Sequence, residues 1–117
     1  MFDFEKLEVY QKANTLNIAI LKYLHRSKNI DPFVRDQLKR ATLSIVLNLA
    51  EGTGRTSRAE KKRFYTIARS SVFECVAILD TLKGSQVLEM ELYSEYYTRY
   101  EELSKMLLSL YRNAKSI

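Results

Sequence analysis

Apolar residues recur in four separate stretches of this chain, with the three- and four-residue spacing of one face of an α-helix. In the first stretch Val9, Ala13, Leu16 and Ile20 keep this spacing. The pattern predicts a helix over residues 4–26, followed by a polar break.

The second predicted helix has clear signals at both ends. Asp31 is a suitable N-cap, and Pro32 suits the first helical position, where the backbone N–H has no partner to lose. The apolar spacing then continues to Glu51. Gly52 and Gly54 follow, and we expect Gly52 to adopt the left-handed conformation that often closes a helix.

The third and fourth helices follow from the same kind of pattern. Ser57 and Glu60 are spaced as a capping box, in which each side chain accepts a hydrogen bond from the other residue's backbone N–H. An apolar stripe then runs over residues 64–82 and ends at Gly84. The last stripe predicts a helix over residues 89–114.

Four amphipathic helices joined by short loops must lie antiparallel to their neighbours in space. The 117 residues include only three glycines and one proline, which disfavours a turn-rich all-β chain. The sequence therefore predicts an all-α protein, a single antiparallel up-down four-helix bundle over residues 1–117.

The first three helices carry more apolar residues than one core-facing stripe requires. At about 100° per residue, a second set of apolar side chains points away from the stripes. This set consists of Leu7, Ile18, Leu21, Leu43, Leu47 and Phe73. Such a second face predicts a homo-oligomer. The alternative is that the second helix is the most central one and is shielded by its neighbours.

Positive charge is concentrated in the middle of the chain. Nine basic and three acidic residues lie between Arg35 and Arg69, whereas ten basic and eleven acidic residues lie elsewhere. The whole excess of the net charge of +5 therefore belongs to the middle segment, which predicts an acidic partner for it.

The start of the third helix is the best candidate for that contact. Lys62, Tyr65, Arg69 and Phe73 fall on one strip beside the core stripe, where basic groups could neutralise phosphates and aromatic rings could stack on unpaired bases. The candidate nucleic-acid-binding residues are Arg55, Arg58, Lys61, Lys62, Arg63, Tyr65 and Arg69. The alternative is a solvated basic face with Phe73 in an oligomer contact.

The corner between the second and third helices is the most distinctive segment. Asn48 is placed to tie down loop backbone, and Glu51 and Arg55 flank Gly52 and Gly54 closely enough to pair across the turn. This pattern favours a rigid helix–helix corner, although the corner could instead present Arg55 to a phosphate. Glu74, on the third helix, is expected to pair with a basic residue of the second.

Templates for catalysis and cofactor binding do not match the chain. His25 is the only histidine and Cys75 the only cysteine, so metal-ligand spacings and nucleophile–base pairs are lacking. We predict a protein that is not an enzyme, with no metal and no cofactor. A lone thiol, an N-terminus without a signal-peptide pattern and no long apolar run predict a cytoplasmic protein that does not enter membranes.

Several segments resemble a known bacterial family. They are residues 4–13, residues 37–41 with Ser44 and Ile45, residues 48–55, and Glu60, Arg63, Phe64, Ile67, Ala68, Ser71 and Glu74. The family consists of four-helix-bundle proteins named after intervening sequences inserted in large-subunit ribosomal RNA genes. It includes the accessory variability protein of diversity-generating retroelements. Ser70 and Tyr10 depart from its pattern, where glycine and tryptophan are commoner.

The resemblance implies an antiparallel bundle, often assembled as a ring-shaped pentamer with a basic face, in an accessory role with RNA, DNA or a reverse transcriptase. Two functions follow as expectations. The first is an oligomeric protein that binds nucleic-acid backbone through its basic face. The second is a scaffold whose basic face docks an acidic protein partner, without direct contact to nucleic acid.

Overall fold

The computed structural model describes residues 1–117, in which four α-helices follow one 3₁₀ turn. The turn spans Asp3–Lys6, and the helices span Glu8–Arg26 (α1), Pro32–Thr53 (α2), Arg58–Gly84 (α3) and Met90–Arg112 (α4). Each helix packs on its two neighbours in a closed ring, and the contact of α2 with α3 is the most extensive. The short loops reverse the chain each time, and the molecule measures 47 × 21 × 21 Å. The predicted antiparallel four-helix bundle is confirmed.

The helix ends largely follow the predicted signals. The Asp31 carboxylate accepts hydrogen bonds from the backbone N–H groups of Phe33 and Val34, at 3.0 and 3.2 Å. The Ser57 hydroxyl accepts one from the Glu60 N–H at 3.1 Å. The capping box is only half formed, because Glu60 does not bond back to the Ser57 backbone.

The start of the first helix differs from the prediction. Residues 3–6 form the 3₁₀ turn, and Leu7 has extended backbone angles, so α1 begins at Glu8. The chain thus bends before α1 instead of continuing one helix from Phe4. The C-terminal end of α1 is closed by Arg35 of α2, whose guanidinium donates hydrogen bonds to the carbonyl oxygens of Leu24 and Ser27.

The core contains a buried pair of hydroxyl groups. Tyr100 of α4 is completely buried, and its hydroxyl lies 2.9 Å from the hydroxyl of Thr42 on α2. A buried polar group without a partner would be costly, so this pair fixes α4 against α2 in one arrangement. Cys75 is buried beside it, and burial raises the pKa of the Cys75 thiol to about 12.

Gly52 has a role other than the predicted one. It lies inside the last turn of α2, and no glycine in the chain has a positive φ. A Cβ on Gly52 would come within 2.6 Å of the Tyr65 ring of α3 and 3.1 Å of Cβ of Phe64. The absent side chain therefore lets α3 approach α2 closely. The left-handed residue of the chain is Gln86, in the loop after α3.

A short polar ladder joins α2 to α3 one turn further from the corner. The Asn48 amide donates to the carbonyl and hydroxyl oxygens of Ser44, and the Ser71 hydroxyl lies 2.9 Å from the Ser44 hydroxyl. The prediction that Asn48 ties down the loop backbone is therefore wrong. Its side chain organises the contact between the helices instead.

We predict that Gly52→Ala destabilises the protein by about 1–3 kcal/mol, because the added methyl group forces Tyr65 or the helix to move. Gly84→Ala is the matched control, since a Cβ there meets no atom within 4 Å. Its stability should be unchanged or higher by up to about 1 kcal/mol. Urea unfolding followed by circular dichroism measures both, and equal stability of the two variants would contradict the close approach.

Candidate nucleic-acid interface

Lys61 lies in the corner between α2 and α3 and is buried. Its side-chain nitrogen donates a hydrogen bond to the Thr53 carbonyl at 3.1 Å, and the residue is only 9% exposed. The carbonyls at the end of α2 lack helical partners, and the charged amine satisfies one of them. Lys61 was expected on the exposed basic face; the structure instead gives it this capping contact.

Tyr65 also departs from the expected strip. It is 3% exposed and packs on Gly52, and desolvation raises the pKa of its hydroxyl. The close approach of the two helices covers the ring that sequence spacing had placed on the surface. Tyr65 is therefore not available to stack fully on a base, although its edge reaches the groove between α3 and α4.

Arg55 and Arg63 converge on one aromatic ring. Their guanidinium carbons lie 4.7 and 4.5 Å from the centre of the Phe64 ring. Cation–π contacts of this kind hold a guanidinium in place while its N–H groups stay free. Two exposed arginines are thus held close together at the corner, in the planar geometry that suits phosphate oxygens.

Residues 113–117 run back over the corner. The Arg58 N–H and side-chain Nε donate to the Ser116 hydroxyl and the Ala114 carbonyl, at 2.9 and 3.1 Å. The Ile117 N–H donates to the Thr56 carbonyl at 2.9 Å. Arg58 thus has a structural contact and keeps its terminal nitrogens available.

This arrangement brings two further basic residues, Arg112 and Lys115, to the same end of the bundle. Both are exposed. Sequence reasoning missed them because it considered charge in the chain's middle segment. The predicted up-down topology was the available signal, since it places the end of α4 beside the start of α3. We call the resulting cluster the basic end; it consists of Arg55, Arg58, Lys62, Arg63, Arg112 and Lys115.

None of the side chains of the basic end takes part in an ion pair. The four ion pairs of the protein are Lys6–Asp3, Lys12–Glu8, Lys12–Glu102 and Lys83–Asp80. The predicted pair between Glu51 and Arg55 does not form, because Arg55 turns to Phe64. Several uncompensated charges therefore act together on any approaching anion.

Two cations, Lys62 of the basic end and Arg69 further along α3, lie along the groove between α3 and α4. The Lys62 side-chain nitrogen lies 4.4 Å from the centre of the Tyr111 ring. The Arg69 guanidinium lies 5.0 Å from the Phe73 ring, while its Nε donates to the Ser104 carbonyl at 3.1 Å. Lys62, Arg69 and Phe73 thus remain on the predicted strip, joined by Tyr111 of α4.

The second face of apolar residues is only partly exposed. Leu7 packs against the core, and Leu21 is half-buried. Ile18, Leu43, Leu47 and Phe73 are 43–56% exposed. They do not form one patch, because Leu43 and Leu47 line the groove between α2 and α3 and Phe73 lines the groove between α3 and α4.

The groove between α2 and α3 also contains Glu51, Glu74 and Arg40. Glu74 is exposed and makes no ion pair, so its expected partner on α2 does not reach it. Two free carboxylates beside two exposed leucines give this groove a different character from the basic end.

The single cysteine and the single histidine lie in different environments. The raised pKa keeps Cys75 a protonated thiol near neutral pH, and His25 is exposed at the far end of α1. No three His, Cys, Asp or Glu side chains are grouped so that they could hold a metal ion. None of the four helices combines the length and apolar character required to span a membrane.

The two adjacent lysines should respond differently to mutation. Lys61→Met removes the hydrogen bond to the Thr53 carbonyl and should destabilise the protein by about 1–3 kcal/mol. Lys62→Met removes no hydrogen bond and should change stability by less than about 0.5 kcal/mol. Thermal unfolding of both variants measures the difference. A stable Lys61→Met protein would argue against the capping contact.

Comparison with known proteins gives the same picture of the fold. No curated protein matches the chain. A crystal structure from Bacteroides thetaiotaomicron VPI-5482, described as a protein with unknown function from the S23 ribosomal protein family, superposes with a TM-score of 0.82. The two chains are 22% identical over 90% of this chain and 99% of the other. The family model for the 23S rRNA-intervening sequence protein matches residues 5–109. The chain belongs to this family of 23S rRNA-intervening sequence proteins.

Proposed function

We propose that this protein is a non-enzymatic, oligomeric accessory protein that binds the phosphate backbone of RNA or DNA through its basic end. The observation that supports this most is the absence of ion pairs among its six basic side chains. Charges that the protein does not neutralise are available to replace the counterions of a polyanion.

The geometry favours a backbone over a base-specific contact. Arg55 and Arg63 are held against Phe64 on the short corner, and Arg112 and Lys115 lie at the adjacent end of α4. The cluster combines the α2–α3 corner with the end of α4, so it does not form one helix face of the kind that reads base edges in a duplex groove. Contacts to phosphates alone give weak sequence preference and strong dependence on salt.

Assembly would strengthen such binding. The basic end of one chain offers only a few phosphate contacts, but several copies in one particle bind a long nucleic acid with a raised effective concentration. Leu43 and Leu47, which are 43% and 53% exposed, support a contact with a second copy. The family resemblance favours five copies in a ring.

Binding is tested by fluorescence anisotropy with a labelled structured RNA and a duplex DNA, at low and moderate salt. Changing Lys62, Arg63 and Arg112 to glutamine should weaken binding at least about tenfold at low salt. The slope of log K against log salt should become shallower by about one for each phosphate that the variant no longer neutralises.

The matched control changes Lys22, Lys28 and Lys39 to glutamine. These three exposed lysines make no ion pair and lie toward the other end of the bundle, so the net charge changes equally. The control should bind as the wild type does. Equal weakening by both variants would indicate a general charge effect. No binding by the wild type at low salt would contradict the proposal and favour an acidic protein surface as the partner.

Assembly is tested separately by analytical ultracentrifugation. The double change Leu43→Ser and Leu47→Ser should lower the mass of the particle while the helical circular dichroism is kept, because both side chains are surface-exposed. Phe33→Ser removes a more exposed aromatic ring, at the start of α2, and should leave the mass unchanged. A wild-type monomer at micromolar concentration would argue against an oligomeric protein.

A further inference from the structure

The groove between α3 and α4 contains a hollow of about 370 Å³ near the basic end. We call it the aromatic hollow; its lining consists of Tyr65, Thr66, Arg69, Ser70, Phe73, Leu108 and Tyr111. The lining includes two exposed or half-exposed aromatic rings, four hydroxyl groups and one guanidinium, and it includes no carboxylate. Its chemistry therefore differs both from an apolar core defect and from an ordinary solvated groove.

The cations of the hollow are free to bind an anion. The Arg69 Nε is occupied by the Ser104 carbonyl, which fixes the side chain, but the two terminal nitrogens make no hydrogen bond within the protein. Lys62 lies over Tyr111 at the mouth of the hollow and makes no ion pair. Each charge thus sits against an aromatic ring and retains N–H donors that make no hydrogen bond within the protein.

Phe73 is the most accessible ring of the groove. It is 56% exposed although it lies in the middle of α3, where a surface position would ordinarily be polar. The ring is not part of the hydrophobic core, and the Arg69 guanidinium lies against one of its faces. A large, fixed and exposed aromatic ring beside free cations is the arrangement that stacks unpaired bases while neutralising their phosphates.

We infer that the aromatic hollow binds a single-stranded segment of nucleic acid, with a base stacked at Phe73 and its phosphates at Arg69 and Lys62. This inference rests on the proposed function and names the form of nucleic acid that the protein prefers. A duplex cannot supply this contact, because its base faces are already stacked on one another and only the edges are accessible.

The neighbouring residues also indicate a direction for the strand. On the other side of Phe73 the groove widens into a second hollow of about 500 Å³, which contains the carboxylates Asp80 and Glu101. The Glu101 carboxylate makes no ion pair and repels phosphates, whereas Asp80 is paired with Lys83. On the near side, Arg69 and Lys62 lead along α3 toward the basic end. At about 1.5 Å per residue, Phe73 and Lys62 are about 16 Å apart along α3, enough for a few nucleotides.

The test compares three ligands of equal length by fluorescence anisotropy: single-stranded oligothymidine, an abasic strand of the same sugar and phosphate, and a DNA duplex. The wild type should bind oligothymidine at least about fivefold more tightly than the abasic strand, since stacking of one base is the contact that the abasic strand lacks. It should also prefer oligothymidine to the duplex.

Three variants isolate the role of the ring. Phe73→Leu keeps an apolar side chain but removes the stacking surface, and should weaken oligothymidine binding about five- to a hundredfold while leaving the abasic strand unaffected. Phe73→Tyr should bind as the wild type does. Phe33→Leu, which changes an exposed ring outside the groove, should have no effect.

The outcomes separate this inference from the proposed function. Equal binding of oligothymidine and the abasic strand, unchanged in Phe73→Leu, would overturn the inference and leave backbone binding at the basic end intact. If the wild type bound no nucleic acid at low salt, both the inference and the proposed function would be overturned. A lower particle mass for Phe73→Leu in analytical ultracentrifugation, with binding unchanged per particle, would assign the ring to a contact between copies and overturn the inference.

Discussion

The close approach of α2 and α3 at their shared corner is the constraint on which the rest of the structure depends. The missing side chain of Gly52 leaves room for the Tyr65 ring, and the Ser44–Ser71 hydrogen bond continues the contact further along both helices. Because the helices meet so closely, the Lys61 amine can reach the Thr53 carbonyl at the end of α2. The same geometry turns Phe64 toward two arginines, so the fixed corner and the charged surface have one origin.

That corner also shows why a basic segment is not equivalent to a basic surface. The consecutive residues 61–63 are all cationic, yet they have three different environments: Lys61 is buried on a carbonyl, Lys62 lies over Tyr111, and Arg63 lies against Phe64. Successive residues on a helix are about 100° apart, so a run of charge is distributed around the axis. Arg112 and Lys115, near the end of the chain, lie beside the cations that remain accessible. The resulting cluster therefore comes from two distant parts of the sequence.

Most of the fold could be predicted from the sequence, because apolar spacing and end signals act locally. The Asp31 and Ser57 caps were both correct, and the four stripes predicted the four core faces. Distances between side chains on different helices could not be predicted from the sequence. Gly52 was interpreted as a turn residue, since its role depends on a ring thirteen positions later. The expected ion pairs of Glu51 and Glu74 failed for a related reason: proximity in sequence does not tell which of several partners a side chain takes.

The site was predictable only to the level of a region. The charge excess identified the start of α3, and the helical period identified Lys62, Arg69 and Phe73 as one strip. The helical period could not predict that Tyr65 is buried by α2, because this burial depends on how closely the neighbouring helix packs. Nor could the helical period identify Tyr111, because Tyr111 is on α4 and meets Lys62 only through the packing of α4 on α3.

The burial of the Cys75 thiol determines how fast this protein is modified under oxidising conditions. The sulfur lies beside the Thr42–Tyr100 hydrogen bond and is wholly inaccessible in the folded state. An oxidant or alkylating reagent can meet it only during a transient opening of the bundle, and the high pKa keeps the thiolate scarce until then. The rate of thiol modification is therefore set by the free energy of that opening. Modification of the single cysteine therefore reports how often the bundle opens: it is slow while the helices stay together and fast once they separate.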